Sequence, residues 1–218
     1  MMSFLRCLLD KVRFLQAATV MSALMSASNA ATGDAIKYPE AAAVVSFDTV
    51  LALPTAAPTN RFHYGPETSQ YAELWLPATA KEANPVVVFV HGGCWLDAYS
   101  IDHSYALATA LAQEGFAVWN IEYRRVGEPG GGWPGSLADV RAAIAMLKGL
   151  EPDGVDLERI VVAGHSAGGH LALLAGNDTP TIAVAPIIDI AGFAGGAGSC
   201  NKAAVSFMGE QPDSIPEA

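Results

Sequence analysis

Ile160-Val-Val-Ala-Gly-His-Ser-Ala-Gly-Gly-His-Leu-Ala-Leu-Leu-Ala175 is the stretch that decides how this chain folds. It runs from a short apolar strand pattern, through Gly164-His165-Ser166-Ala167-Gly168, into a helical pattern. A serine at the tip of a sharp strand-to-helix turn is forced into a strained backbone conformation. Glycines two residues to either side let the chain pass through that turn without collision. The helix that starts behind Ser166 favours negative charge developing in front of it. Ser166 is therefore the candidate nucleophile. A glycine-rich turn with an incidental serine is the alternative, and the flanking strand and helix patterns argue against it.

Upstream, the same alternation repeats. Tyr71 to Leu76 alternates like a half-exposed strand, and Pro77 closes it. Pro85 to Val90 is a continuous apolar run, as expected of a strand buried on both faces of a parallel sheet. A helix is expected over 104–113, a strand over 116–121, and a helix over 136–148 with Leu137, Val140, Ile144 and Leu147 on one face. A last strand is expected over 181–188. Residues 31–60, with Pro39, Pro54 and Pro58, read as an irregular surface lead-in. Strands alternating with helices predict an α/β fold: a mostly parallel sheet with helices on both faces.

His91-Gly92-Gly93-Cys94-Trp95 follows the Val-rich strand directly. Paired glycines at a strand exit let backbone N–H groups face a cavity with no side chain in the way. Such donors near Ser166, together with the N–H of Ala167, would make an oxyanion hole. Taken alone, the motif reads equally well as a plain turn. Its pairing with the serine turn some 75 residues later gives it weight.

With both motifs on the page, the chain resembles the α/β-hydrolase superfamily, in its esterase/lipase and kynurenine-formamidase-like branch. His91-Gly-Gly-Cys-Trp95, Tyr123-Arg124-Arg125 and Gly164-His-Ser-Ala-Gly-Gly-His170 carry the resemblance, which runs from about Tyr71 to Gly209. It implies Ser166 as nucleophile and Gly92, Gly93 and Cys94 as oxyanion donors. Cys94 stands where the lipase version has a third glycine. A backbone donor tolerates that change, but the side chain narrows the pocket mouth.

The rest of the triad is not legible. The family order is Ser, then Asp or Glu, then His. The chain has five histidines, and only His170 follows Ser166. One helical turn on, it cannot easily reach back to the hydroxyl, so it reads as a packing or capping residue. The side chain of His165 should point away from the base position, His91 should brace its loop, and His63 and His103 read as surface residues. Asp189 follows the last expected strand, whereas the resemblance places the acid after a further strand and the histidine after another. The expectation is a domain incomplete at its C-terminus, with residues 211–218 forming a loop or the start of a lid helix. Arg124 and Asp139 could pair. Glu122 and Asp97 read as loop residues without a role, and Trp95, Trp119 and Trp133 as core or pocket wall.

Bulk properties narrow the rest. The 218 residues suffice for one domain, and the net charge of −10, without a basic cluster, argues against nucleic-acid binding. Residues 1–30 pair a basic start (Arg6, Lys11, Arg13) with an apolar stretch and Ser28-Asn29-Ala30, the pattern of a cleaved signal peptide. Cleavage would export the protein with a net charge of −12. An ordinary N-terminal helix and a cytoplasmic location are the alternative. The stretch is too short for a stable membrane anchor. Beyond the leader, Cys94 and Cys200 form an even pair that could bridge if their α-carbons approach to about 5–6 Å. No metal pattern and no organic cofactor is implied. The expected activity is hydrolysis of small-molecule carboxylic esters, or of aryl-amide or formamide bonds, through an acyl-enzyme on Ser166. An inactive remnant or binding protein, and a peptidase of the same fold, stay open. Oligomeric state is not legible.

Overall fold

Val86-Val-Val-Phe-Val90 is a run of β-branched and aromatic side chains with no polar face, so it belongs where both sides of a sheet are covered. In the structure, a computed structural model that describes residues 35–40, 42–78 and 83–209, this run is the heart of strand β3 (Asn84–Val90). The expected leader, residues 1–30, lies outside the described residues.

Six strands form one sheet: β1 (Asn60–His63), β2 (Tyr71–Trp75), β3, β4 (Ala117–Ile121), β5 (Val155–His165) and β6 (Thr181–Val184), in the order β1-β2-β4-β3-β5-β6. The pairs β1/β2 and β2/β4 are antiparallel, and β4/β3, β3/β5 and β5/β6 are parallel. Helices α1 (Phe47–Leu51), α2 (Tyr105–Gln113), α3 (Gly135–Leu150), α4 (Ala167–Ala175), α5 (Ile190–Ala194) and α6 (Ser199–Met208) complete the described elements.

The two-residue period of β3 sorts its side chains onto two cores. Val86, Val88 and Val90 pack with Leu137, Val140, Ile144 and Leu147 of α3 and Leu171 of α4. Val87 and Phe89 pack on the opposite face with Ala108 and Ala112 of α2. The α/β sandwich read from the sequence is the fold observed. Among the described residues, no helix is long and apolar enough to cross a membrane.

Two segments differ from expectation. The lead-in is not wholly irregular: it contains α1, and strand β1 begins at its last residue, Asn60; the alternation of β1 is weak because Phe62 is its one partly buried residue. The last strand stops at Val184 rather than 188. Ala185 adopts a left-handed φ of 46°, and Pro186 has no N–H to offer a ladder. Residues 185–189 are thereby freed to form a loop at the end of the sheet. The short helices α5 and α6, unread in the sequence, follow it. Residues 211–218 lie outside the described residues.

Candidate active site

From the central strand the chain moves first to β4 on one side and then to β5 on the other, so the strand order reverses at β3/β5. In open α/β sheets a crevice forms beyond the carboxyl ends of the strands at such a reversal. Val90 is the register partner of Gly164, so the turn that leaves β3 and the turn that leaves β5 sit side by side.

Ser166 has φ 54° and ψ −120°, a conformation that L-residues rarely adopt and one that marks a sharp, strained turn. The turn is held by backbone bonds on both sides. The Ser166 N–H donates to Val184 O (2.9 Å), and the His170 N–H donates to Ser166 O (3.1 Å). A Cβ on Gly164 would strike the Gly168 carbonyl, and one on Gly168 would strike the carbonyls of Val90 and His91. These glycines are needed for close approach of helix α4 to the strand ends. Ala167 is the first residue of α4, so its N–H has no carbonyl one turn back.

Gly92 lies against the same turn. A Cβ there would come within 2.8 Å of His165 O and 3.3 Å of Ser166 Cβ. Gly93 (φ 108°), Cys94 (φ 54°) and Trp95 (φ 58°) continue in successive left-handed conformations, which curl the chain tightly at the strand exit. Gly92 is thus brought into contact range of Ser166, and Ala167 adjoins it. Cys94 is disulfide-bonded to Cys200 with a Cα–Cα distance of 5.1 Å, resolving a pairing the sequence left open. A cavity of about 460 Å³ opens beside Ser166, walled by Ala185, Pro186, Ile187, Ile188, Asp189, Phe193 and Cys200. The freed loop after β6 thus forms most of this wall.

Beneath the turn lies a buried polar cluster. His91 is fully buried, with Nε2 2.8 Å from Glu122 Oε1 and Nδ1 2.8 Å from Gly92 O. Glu122 also accepts from the N–H groups of Ile101 and Tyr123 (both 2.9 Å) and faces the Arg125 guanidinium at 3.3 Å. Burial alone would push the Glu122 carboxyl up. His91, Arg125 and the Ile101 N–H outweigh it and hold the group below the usual carboxylate range. Tyr123 stacks on His91 and donates from its hydroxyl to His91 O (2.9 Å). Arg125 donates to Tyr99 O (2.5 Å), and the Tyr99 side chain packs against Gly93. Glu122 is therefore not the roleless loop residue expected, but the anchor under the glycine turn. A carboxylate directly after a mostly apolar strand, with Arg124 and Arg125 two and three residues on, was the available signal. Arg124 does pair with Asp139, through Nε and Nη2 at 2.8 and 2.7 Å.

The histidines divide. His63 and His165 are exposed, and His91 braces its loop as read. His103 is half-buried rather than superficial: α1 covers it through Phe47, and burial with the neighbouring His91 pushes its pKa down to about 4. His170 is a packing residue, edge-on to Trp95 and Phe207, with neither ring nitrogen hydrogen-bonded and its pKa lowered to about 4 by burial. Both are lowered, so their neutral forms favour the fold above the unfolded pKa of about 6.5, and that advantage is lost as pH falls from there toward 4. Replacing His170 by leucine should remove two unpaired buried nitrogens and raise stability by about 1 kcal/mol at pH 7. It should also flatten the loss between pH 6.5 and 4. Urea titrations at pH 7 and pH 5 check this; a variant with a lower midpoint at both would refute it. Among the described residues, no hydrogen bond joins the Ser166 hydroxyl to a histidine ring, and no cluster of His, Cys, Asp or Glu is arranged to hold a metal.

Residues 72–189 match the family described as BD-FAE. Esterase LipC of Mycobacterium tuberculosis is 38% identical over 120 residues, which are 54% of this chain and 29% of that protein. A probable isoprenylcysteine alpha-carbonyl methylesterase of Oryza sativa subsp. japonica is 34% identical over 110 residues, 50% of this chain and 25% of its own. Among solved structures, a bacterial heroin esterase superposes with a TM-score of 0.53 at 28% identity, covering 67% of this chain and 48% of that one. Esterase B from Lactobacillus Rhamnosis, with a TM-score of 0.61 at 23% identity, shares the fold. The chain thus spans less than a third of the length of the two curated relatives and about half of the heroin esterase.

Proposed function

Because the chain belongs to the BD-FAE family, within the α/β-hydrolase superfamily, we propose that it carries the acyl-transfer half of a serine esterase, with Ser166 as nucleophile. The observation that carries this reading is the juxtaposition of a strained Ser166 with Gly92, at the mouth of a cavity of about 460 Å³. The Ser166 hydroxyl attacks the carbonyl carbon of a small-molecule ester. The oxygen that becomes negative lies toward the N–H of Ala167 and the N–H groups of the Gly92–Cys94 turn, with the α4 N-terminus behind it. Collapse expels the alcohol and leaves an acyl group on Ser166; water then releases the acid. The same steps serve an aryl-amide or formamide, as in the kynurenine-formamidase-like branch.

The base that takes the Ser166 proton, and the acid that orients it, are proposed to lie in sequence beyond this chain. Two facts support this. The Ser166 hydroxyl meets no histidine among the described residues. Among the described residues strand β6 is a sheet edge, and Ile182 and Val184 on one of its faces are 39% and 52% exposed, as on a face without its covering element. Export behind a cleaved leader remains a proposal, supported by the Cys94–Cys200 bridge, since disulfides persist in oxidising compartments.

A Ser166 hydroxyl with no histidine partner among the described residues also favours a second reading, a binding protein with a cavity and no base. Hydrolysis of p-nitrophenyl acetate by a version extended at the C-terminus and by its Ser166→Ala variant separates them. Turnover lost in the alanine variant supports the esterase. Equal blanks from the extended version and its alanine variant favour the second reading. A peptide-substrate panel on a version extended at the C-terminus tests the peptidase alternative.

A further inference from the structure

The disulfide joins two parts of the site that the sequence keeps 106 residues apart. Cys94 is in the left-handed turn beside Ser166, and Cys200 is the second residue of α6 and part of the cavity wall. Helix α6 has a second, independent anchor at its other end. Phe207 stacks on Trp95 at 4.8 Å, and its carbonyl accepts from the Trp133 N–H at 2.9 Å. The helix is thus pinned at its C-terminal end by packing; at its N-terminal end Asn201 Nδ2 donates to Phe193 O of α5 (2.5 Å), and the disulfide is the covalent bond that ties this end to the glycine turn. Both cysteines are half-buried and Cys200 borders the cavity, so a small thiolate can reach the sulfurs.

We propose that the Cys94–Cys200 bond is a redox latch on the site. In the oxidised protein it clamps the glycine turn to the cavity wall. In the reduced protein the N-terminal end of α6 swings on its Phe207 anchor, the cavity widens, and the turn loses its covalent brace. The chemistry is thiol–disulfide exchange with a dithiol. One reductant thiolate attacks a sulfur and forms a mixed disulfide, and the second reductant thiol displaces it. Two electrons and two protons end on Cys94 and Cys200, and the reductant leaves as its own cyclic disulfide. A consequence for catalysis rests on the reading of Gly92–Cys94 as oxyanion donors; the latch itself does not.

Hydrogen–deuterium exchange on the intact chain, with and without dithiothreitol, tests it. Mass spectrometry after alkylation confirms that both thiols are free. Exchange should rise about tenfold or more at Leu96, Val126 and Lys202, whose N–H groups donate to Gly93 O, Trp95 O and Gly198 O, while β3, β5 and residues 205–208 keep their protection. The Cys94→Ala/Cys200→Ala double variant should show the same pattern without reductant. Unchanged exchange at Leu96, Val126 and Lys202 with both thiols free overturns the latch. Loss of protection across the whole sheet also overturns it, since the bond would then be a general staple. The Ser166→Ala assay fails or succeeds independently of both outcomes, so failure of the latch and failure of the esterase reading can be told apart.

Discussion

Gly168→Ala is expected to destabilise the protein by about 3 kcal/mol or more, because the added methyl has nowhere to go. Its Cβ would enter the space held by the Val90 and His91 carbonyls. These are backbone atoms at the end of the central strand, and no rotamer change moves them aside. Relief would require α4 to lift from β3, which would strip Leu171 and Ala172 from the core and pull Ser166 away from Gly92. Gly149→Ala is the control. It lies in the last turn of α3 with nothing within 4 Å of an added Cβ, so the same substitution there should stabilise by about 0.5 kcal/mol. Denaturant midpoints of the two variants should move in opposite directions. A Gly168→Ala protein with an unchanged midpoint would contradict the close packing of α4 on the strand ends.

Glu122→Ala should cost about 3–5 kcal/mol, for a different reason. Removing the carboxylate leaves the Arg125 guanidinium, His91 Nε2 and the N–H groups of Ile101 and Tyr123 without their shared acceptor in a buried site. Glu122→Gln keeps an acceptor and loses the charge, so its loss should be smaller, about 1–3 kcal/mol. The sign with pH follows from the depressed carboxyl. A lowered carboxyl pKa stabilises the fold at pH values above the unfolded value of about 4.3, and this is lost as pH falls through the folded value. The gap between wild type and Glu122→Gln should therefore narrow on acidification below about pH 4. Parallel guanidinium titrations at pH 7 and in acid measure it. A gap that widens in acid would show that Glu122 is not the charged anchor of the turn.

The strands and helices that frame the site were legible because their patterns are local. Val86 to Val90 has no polar face, and Leu137, Val140, Ile144 and Leu147 recur at helical spacing; both segments fold as those patterns require. Strand β1 and helices α5 and α6 were not legible, because each is short and weakly patterned and takes its place from contacts with distant segments. Phe62 of β1 packs against Trp119, and Phe207 of α6 against Trp95. The end of β6 was misjudged because Ile187 and Ile188 look like strand, whereas Ala185 and Pro186 turn the chain away from the sheet.

By itself, the sequence determined the sheet-and-helix class, the strained serine turn and the glycine turn after the Val-rich strand. Each depends on which residues can tolerate a local conformation, and that is written within a few positions. Only the tertiary structure decided that Gly92 touches the Ser166 turn, that Glu122 anchors it from beneath, and that Cys94 and Cys200 meet. Those relations follow from the parallel pairing of β3 with β5 and from α6 folding back over their ends. Parallel strands are joined by long crossovers, so residues that meet at their carboxyl ends carry no local mark of one another.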